Sequence, residues 1–210
     1  MSNITLEQIE QLKECMPRVI NKLKLSFKND IVPLMKALRD PRGTNETLRG
    51  VFSDVDSSQL IQEMTKTFSE AINSRFYMYL EEEGIPIEED ATVGSDAKIF
   101  NTLVEDKNTC SKSNDSWTGN GYKKTPWHIL KRCSINVDTN ELEFCLVYVV
   151  NLDTCVSSWT EPKGSNYSTL KIVNEDYDKI HCLSGKVSKI SHKKNLTKFK
   201  KYLEFTPTAD

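Results

Sequence analysis

The sequence has few of the features that would place this protein in a specialised class. No apolar run approaches the roughly 20 residues that a membrane-spanning helix needs. The first residues, MSNITLEQIEQLKE, lack the basic end and apolar core of a secretory signal. With 38% hydrophobic and 28% charged residues, the 210-residue chain has the composition of an ordinary globular protein. These absences predict a soluble, cytoplasmic protein.

Motifs for catalysis and metal binding are also scarce. The chain has six cysteines, none in a Cys-x-x-Cys pair, and three histidines without compact ligand spacing. Gly119 and Gly121 precede a predicted strand instead of following one, so they do not form a phosphate-binding loop. The nucleophile elbow and the zinc-protease helix motif are missing as well. We therefore predict free thiols, no catalytic residue, no metal and no cofactor, and a non-enzymatic protein is favoured over an enzyme.

The N-terminal part has the periodicity of amphipathic helices. Thr5 and Gln8 fit a capping box, and apolar residues recur at three- and four-residue steps over 9–27. Pro17 lies inside this stripe, where a missing hydrogen bond and a steric clash predict a kink or a break. A second apolar ladder over 57–80 predicts a long helix that lies on a sheet.

After an acidic, turn-rich stretch over 84–121, which we interpret as a loop, the apolar period becomes two. The segment from Trp127 to Val150 predicts a hairpin with its turn at 138–140. Its second arm is apolar on both faces, which predicts a central strand buried between layers contributed by the helices. Shorter strands are expected over 155–160, 166–173 and 180–190.

The predicted fold class is α+β. N-terminal helices (about 5–80) pack on a C-terminal, mostly antiparallel β-sheet (about 122–190) of four to six strands. We expect one compact domain over 1–210, with a helical half (1–83), an acidic, loop-rich connection (84–121) and a β-rich half (122–210) that ends in a basic segment.

Charge is distributed unevenly along the chain. Residues 1–83 carry 11 basic and 13 acidic side chains, 84–118 carry 3 and 7, and 119–210 carry 14 and 10, which gives −2, −4 and +4. Seven lysines near the C-terminus are candidates for binding an anion, either anionic lipid or nucleic acid. They are Lys186, Lys189, Lys193, Lys194, Lys198, Lys200 and Lys201. The alternative is a solvated face of a terminal helix or hairpin.

The open end of the hairpin is the predicted partner-binding site. Its candidate residues are Trp117, Tyr122, Trp127 and His128. Aromatic side chains beside loops either contact a partner or cap a core. An enzyme would need a thiol activated by a histidine, for instance Cys133 or Cys182 with His128 or His181. Cysteines within apolar strands are more often small buried hydrophobes.

The leading hypothesis is a non-enzymatic intracellular protein that acts by binding a macromolecular partner, most simply another protein, or by self-assembly. The first alternative is a pore-forming or lipid-binding protein whose amphipathic helices shield the sheet. A further alternative is salt-sensitive, non-specific nucleic-acid binding through the C-terminal lysines.

Overall fold

Two long helices precede the sheet, as the apolar periodicity predicts. The computed structural model describes residues 3–31, 33, 57–89, 95–109, 116–120, 125–136, 141–160 and 167–184. Helix α1 spans Leu6–Ser26 and continues into a π-helical turn over Phe27–Ile31. Helix α2 spans Ser57–Glu82. The α+β fold class is therefore confirmed, with the helices N-terminal to the sheet.

Helix α1 begins at the predicted cap. The Gln8 amide donates to the Thr5 hydroxyl (3.2 Å), and the Thr5 amide donates to the Gln8 side chain (2.9 Å), so the capping box is complete. The predicted break at Pro17 is wrong, because the helix runs through this residue. A helical proline costs about 3 kcal/mol. Burial of one large apolar side chain contributes roughly 1.5–3 kcal/mol, and several buried residues flank Pro17, namely Cys15, Met16, Val19 and Ile20.

Helix α2 ends at a glycine that reverses the chain. Gly84 has a φ of +82°, a conformation that glycine adopts without the usual steric penalty. The Ile85 amide donates to the Leu80 carbonyl (3.0 Å), and the Gly84 amide donates to the Glu81 carbonyl (2.9 Å). This pair of bonds is a Schellman motif, which satisfies carbonyls at the helix end.

Acidic residues at the end of α2 are neutralised by α1. Glu83 accepts from Arg18 (2.6 Å) and from Lys22 (3.0 Å), and Lys22 also pairs with Glu82 (2.8 Å). The hydrogen bonds from Arg18 and Lys22 lower the pKa of Glu83 below its ordinary value. These ion pairs counter the unfavourable interaction of acids with the negative end of the helix dipole, so α2 stays helical to Glu82.

Eight strands are present in the described parts of the chain. In chain order they are β1 (Ile87–Glu89), β2 (Ala97–Ile99), β3 (Thr102–Thr109), β4 (Ser116–Asn120), β5 (Trp127–Asn136), β6 (Glu141–Asn151), β7 (Tyr167–Lys171) and β8 (His181–Ser184). The larger sheet has the order β1-β2-β3-β5-β6-β8, and β4 pairs with β7 in a second sheet. Only the β3–β5 pair is parallel among these strands, so the sheet is mostly antiparallel, as predicted.

The predicted hairpin forms the centre of the larger sheet. Strands β5 and β6 are antiparallel, with Trp127 opposite Asn151 and Leu130 opposite Tyr148. On its other side β5 runs parallel to β3, with Val104 opposite Trp127. A parallel neighbour requires a crossover connection, which the local hairpin pattern does not reveal.

From Leu146 to Val150, strand β6 is buried on both faces, but the covering layers differ from the prediction. One face, here called the helix face, presents Val147 and Val149 of β6 and Ile129 of the neighbouring β5 to a core shared with α1 and α2. The opposite face, here called the second-sheet face, packs instead against the small β4–β7 sheet. Its core comprises Trp117, Leu130, Leu146, Tyr148, Val150, Trp159, Leu170 and Ile172. Of the two described helices, both pack on the helix face.

Four of the strands lie within 84–121, which the sequence predicts as a loop. The turn between β2 and β3 explains why the sequence of 84–121 gives only a weak strand signal. Phe100 and Asn101 both have positive φ (52° and 61°), as a two-residue type I′ hairpin turn requires. The usual glycine is missing, and Phe100 instead packs its ring against the core.

Within the described residues, neither α1 nor α2 has a stretch that is both long and apolar enough to cross a bilayer.

Candidate functional site

An unusual concentration of charge lies inside the larger sheet. Six residues, here called the charged cluster, come from β3, β5 and the entry to β2: Asp96, Glu105, Asp106, Lys107, Lys131 and Arg132. Glu105, Asp106, Lys131 and Arg132 are each at most 2% exposed. Charged side chains are rarely buried to this degree unless they are paired. The three acids and three bases balance in formal charge.

Lys131 forms the part of the charged cluster that faces α2. Its ammonium group is hydrogen-bonded to Asp106 Oδ2, across the β3–β5 pair. It also lies 4.3 Å from the ring centroid of Phe76 and 5.4 Å from that of Tyr77, within the range of cation–π attraction. Burial, followed by the negative charge of Asp106, raises the pKa of Tyr77 well above its ordinary value. Tyr77 therefore remains a neutral phenol at physiological pH.

Asp96 connects the entry of β2 to β3. Its Oδ2 atom accepts from the Asp106 amide (2.7 Å) and from the Lys107 ammonium group (3.3 Å). Lys107 also pairs with Glu105 at 2.5 Å. Burial alone would lower the pKa of Lys107, but the Glu105 and Asp96 carboxylates raise it above the ordinary value. Lys107 is thus a stable cation, which is the wrong state for a general base.

Asn108 extends these polar contacts to α2. Its side-chain amide donates to the backbone carbonyl and the hydroxyl of Ser69 (both 3.2 Å) and to Asn73 Oδ1. Asn108 through hydrogen bonds and Lys131 through cation–π contacts therefore hold α2 on the sheet, in addition to apolar packing.

His128 lies on the second-sheet face and is fully buried. The Trp159 indole nitrogen lies 2.8 Å from His128 Nε2, and His128 Nδ1 lies 3.2 Å from the Pro126 carbonyl. An indole N–H can only donate, so Nε2 must accept and Nδ1 must carry the proton. Both ring nitrogens of the neutral imidazole are consequently committed to structural bonds.

Trp117 is the centre of the core on the second-sheet face. Its indole nitrogen donates to the Lys131 carbonyl (3.0 Å), which ties β4 to β5. The Arg132 guanidinium carbon lies 5.5 Å from the Trp117 ring, and Tyr148 packs edge-on against it with centroids 6.3 Å apart. The arrangement places a buried cation against an aromatic face.

The predicted partner-binding residues have interior positions in this conformation. Trp117, Trp127 and His128 are exposed by 1%, 6% and 0%. Trp127 also donates to the Asn3 side chain at 3.3 Å. Tyr122 lies outside the described residues, and so do the seven C-terminal lysines proposed for anion binding. Partner binding by these side chains and anion binding by the lysines stay predictions.

The described thiols are poorly suited to nucleophilic catalysis. Burial raises the pKa of Cys15 and of Cys155, which reduces the thiolate fraction at neutral pH. The Cys182 thiol donates to the Ser184 carbonyl (3.1 Å). Across the described residues, no group of three or more His, Cys, Asp or Glu side chains is arranged to hold a metal ion.

The sequence prediction missed the charged cluster, although two segments carry a signal for it. LVEDK (103–107) and ILKRC (129–133) place charges inside stretches with strand-like apolar residues. Alternation along β5 puts Lys131 on the same face as Trp127 and Ile129, which are core residues. A lysine at such a position requires a buried acid on a neighbouring strand.

Comparison with known proteins gives no family assignment. No protein-family model matches the sequence, and a search of curated proteins found no match.

Proposed function

We propose that this is a non-enzymatic intracellular protein that acts by binding a macromolecular partner or by self-assembly. The observation that supports this most directly is that the reactive side chains form hydrogen bonds within the fold. His128 bonds to Trp159 and Pro126, and Lys131 bonds to Asp106. Each of these groups joins one layer or strand to another.

Burial supports the same conclusion. A catalytic acid or base must come within hydrogen-bond reach of the substrate. His128 and Lys131 have no exposed surface, and the larger sheet is covered on both faces at their positions. Chemistry there would require a covering layer to separate from the sheet.

The charged cluster weighs against insertion of the strands into a membrane. Strands β3 and β5 carry buried charges on both faces, with Asp106 and Lys131 towards the helices and Arg132 against Trp117. A charged side chain at the centre of a bilayer costs about 2–4 kcal/mol on a strand. The nucleic-acid alternative depends on the C-terminal lysines, and no described residue bears on it.

Exposed apolar side chains provide contacts for association. Four large ones are prominent in the described surface: Leu6 (71% exposed), Leu25 (62%), Val156 (71%) and Tyr167 (61%). We expect at least one of them to contribute to association, because burying such a side chain contributes roughly 1.5–3 kcal/mol.

The proposal is tested by sedimentation velocity of the purified chain over a wide concentration range, together with quantitative cross-linking. We expect a concentration-dependent oligomer, or a stoichiometric complex after capture from the native source. Single serine substitutions of the four apolar residues should weaken association at one or more positions. Gln11→Ser, at an exposed polar position on α1, is the matched control. A strictly monomeric chain that captures no stoichiometric partner, and that turns over a substrate, would refute the proposal.

A further inference from the structure

Two cysteines occupy directly opposite positions in the central hairpin. The β5–β6 register pairs Cys133 with Cys145, between the pairs Arg132–Leu146 and Ser134–Phe144. The irregularity in this ladder begins after Ser134, so the cysteine pair belongs to its regular part.

The backbone geometry of this pairing suits a disulfide. Directly opposite residues of an antiparallel pair have Cα atoms about 4.5–5.5 Å apart. A disulfide requires a Cα separation of roughly 4.4–6.8 Å. The register therefore brings the two Cα atoms into the range of separations that a disulfide requires.

The other described cysteines have no such arrangement. Cys15 lies within α1, where its thiol donates to the Leu12 carbonyl at 3.3 Å. Cys182 is opposite Tyr148 in the β6–β8 pair. Cys155 follows the short turn after β6, and its thiol donates to the Asn151 carbonyl at 3.4 Å. None of these three cysteines is part of a disulfide.

We propose that Cys133 and Cys145 form a redox-active dithiol site, which a small-molecule disulfide converts to a cross-strand disulfide. The thiolate of one cysteine attacks the small disulfide, forms a mixed disulfide and releases one small thiol. The thiolate of the other cysteine then attacks the protein sulfur and releases the second small thiol. Two S–H bonds are lost, one protein S–S bond forms, and the small disulfide is reduced to two thiols.

The oxidised site links the two central strands. Positions 133 and 145 lie in β5 and β6, which are neighbours in the larger sheet. The disulfide would close the loop through the hairpin turn and restrict the unfolded chain. The redox state of the surroundings would therefore set the stability of the larger sheet.

The experiment refolds the full chain from urea in buffers with graded ratios of reduced to oxidised glutathione. In urea the unfolded chain exposes every thiol, so all of them can react with the small disulfide before and during refolding. Free thiols are then alkylated, and the protein is digested and analysed by mass spectrometry. No Lys or Arg lies between Cys133 and Trp159, so trypsin leaves Cys133, Cys145 and Cys155 on one peptide. Cleavage at acidic residues, after Glu141 and before Asp153, separates them.

We expect a Cys133–Cys145 linkage, with the loss of two hydrogen atoms, at ratios where Cys155 and Cys182 remain alkylated. Oxidation should raise the urea midpoint of the wild-type chain. Cys133→Ser and Cys145→Ser should each abolish the linkage and the midpoint shift, whereas Cys155→Ser is the matched control that keeps both. Circular dichroism verifies that each variant is folded. Pairing of Cys133 with any other cysteine, or free thiols at both positions in a folded chain under the most oxidising buffer, would overturn the proposal.

Discussion

Asp176 is a fully buried carboxylate that holds the loop after β6. It accepts hydrogen bonds from the Val156 amide (2.9 Å), the Ser157 amide (2.6 Å), the Ser157 hydroxyl (2.5 Å) and Lys179 (3.1 Å). Burial alone would raise the pKa of Asp176, but these bonds lower it to about 2. The ionised form is therefore the one that the fold stabilises.

The low pKa of Asp176 predicts a loss of stability in acid. The folded-state pKa is about 2, below the ordinary 3.8. The carboxylate contributes fully above pH 3.8, and its contribution, about 2 kcal/mol, is lost as the pH falls from 3.8 through 2. Urea unfolding measured from pH 5 to pH 2 should show this loss.

Substitution of Asp176 by asparagine tests the same carboxylate at neutral pH. Asp176→Asn should lower the free energy of unfolding by roughly 2–3 kcal/mol at pH 7, because charge-assisted hydrogen bonds are lost. The substitution should also reduce the loss of unfolding free energy between pH 5 and pH 2. Asp153→Asn, at an exposed position in the neighbouring turn, should change stability by less than about 0.5 kcal/mol. Equal effects of the two substitutions would contradict the structural role of Asp176.

The lowered pKa of His181 predicts a second pH dependence of stability, nearer to neutral pH. Burial, followed by the positive charge of Lys13, lowers the pKa of His181 below the ordinary 6.5, although Glu10 opposes this shift. The unfolded chain then binds more protons than the folded chain, so stability decreases as the pH falls below 6.5 through the folded-state pKa. His181→Gln should reduce the slope of unfolding free energy between pH 7 and pH 5. An unchanged slope would show that His181 does not contribute.

Among the helices and strands, α1 shows how packing overrides a local signal. Pro17 interrupts the hydrogen bonding of a helix whose buried stripe continues on both sides. Pro17→Ala restores a backbone donor and removes the ring clash, so it should raise the free energy of unfolding by about 1–3 kcal/mol. Thermal unfolding followed by circular dichroism measures the change.

The control for this prediction lies one turn further along α1. Asn21→Ala, at an exposed position, should raise stability by about 0.5 kcal/mol or less, since only helix propensity changes. If Pro17→Ala destabilises the protein, then the proline ring makes packing contacts that outweigh the restored hydrogen bond.

For the molecule as a whole, the charged cluster connects the helix layer to the sheet. Lys131→Met leaves the Asp106 carboxylate buried without its cation. We expect a loss of about 3–5 kcal/mol in the free energy of unfolding, the usual effect of removing one partner of a buried ion pair. Asp106→Asn should cost a similar amount, because it leaves the ammonium group without its counter-ion.

A double-mutant cycle separates the ion pair from the general effects of substitution. Lys131→Met combined with Asp106→Asn should be more stable than the sum of the single losses predicts, since both buried charges are removed together. Lys98→Met is the matched control, because Lys98 pairs with Glu88 at the surface, and pairs of this kind contribute about 0–1 kcal/mol. Strict additivity in the buried cycle would contradict the coupling of Lys131 to Asp106.

Much of the fold could be predicted from the sequence because its signals are local. The capping box at Thr5, the ladder in α2 and the alternation in the β5–β6 hairpin each depend on residues close together in the chain. Strands β1 to β4 could not be predicted in this way. Strands β1 and β2 have only three residues each, and the β2–β3 turn uses Phe100 where glycine is usual, so neither strand length nor turn chemistry identifies this hairpin.

The candidate site was less predictable, because it depends on residues that are distant in sequence. Asp106 meets Lys131 only because β3 runs parallel to β5, and His128 meets Trp159 only because the second sheet covers that face. The sequence identifies the aromatic residues at the hairpin as candidates for contact with a partner. Whether such residues face a partner or a core depends on the layer above them, which the chain's local pattern does not specify.

The stretch from Trp127 to Val150 illustrates what the sequence determined and what the tertiary structure determined. Its alternating pattern by itself determined a hairpin that is buried on both faces, because the period of a strand fixes which residues share a face. Tertiary structure alone decided that helices cover one face and a second sheet covers the other. It also decided that Lys131 is neutralised by Asp106. The physical reason is that pairing across strands depends on topology and register, which arise only when distant segments come together.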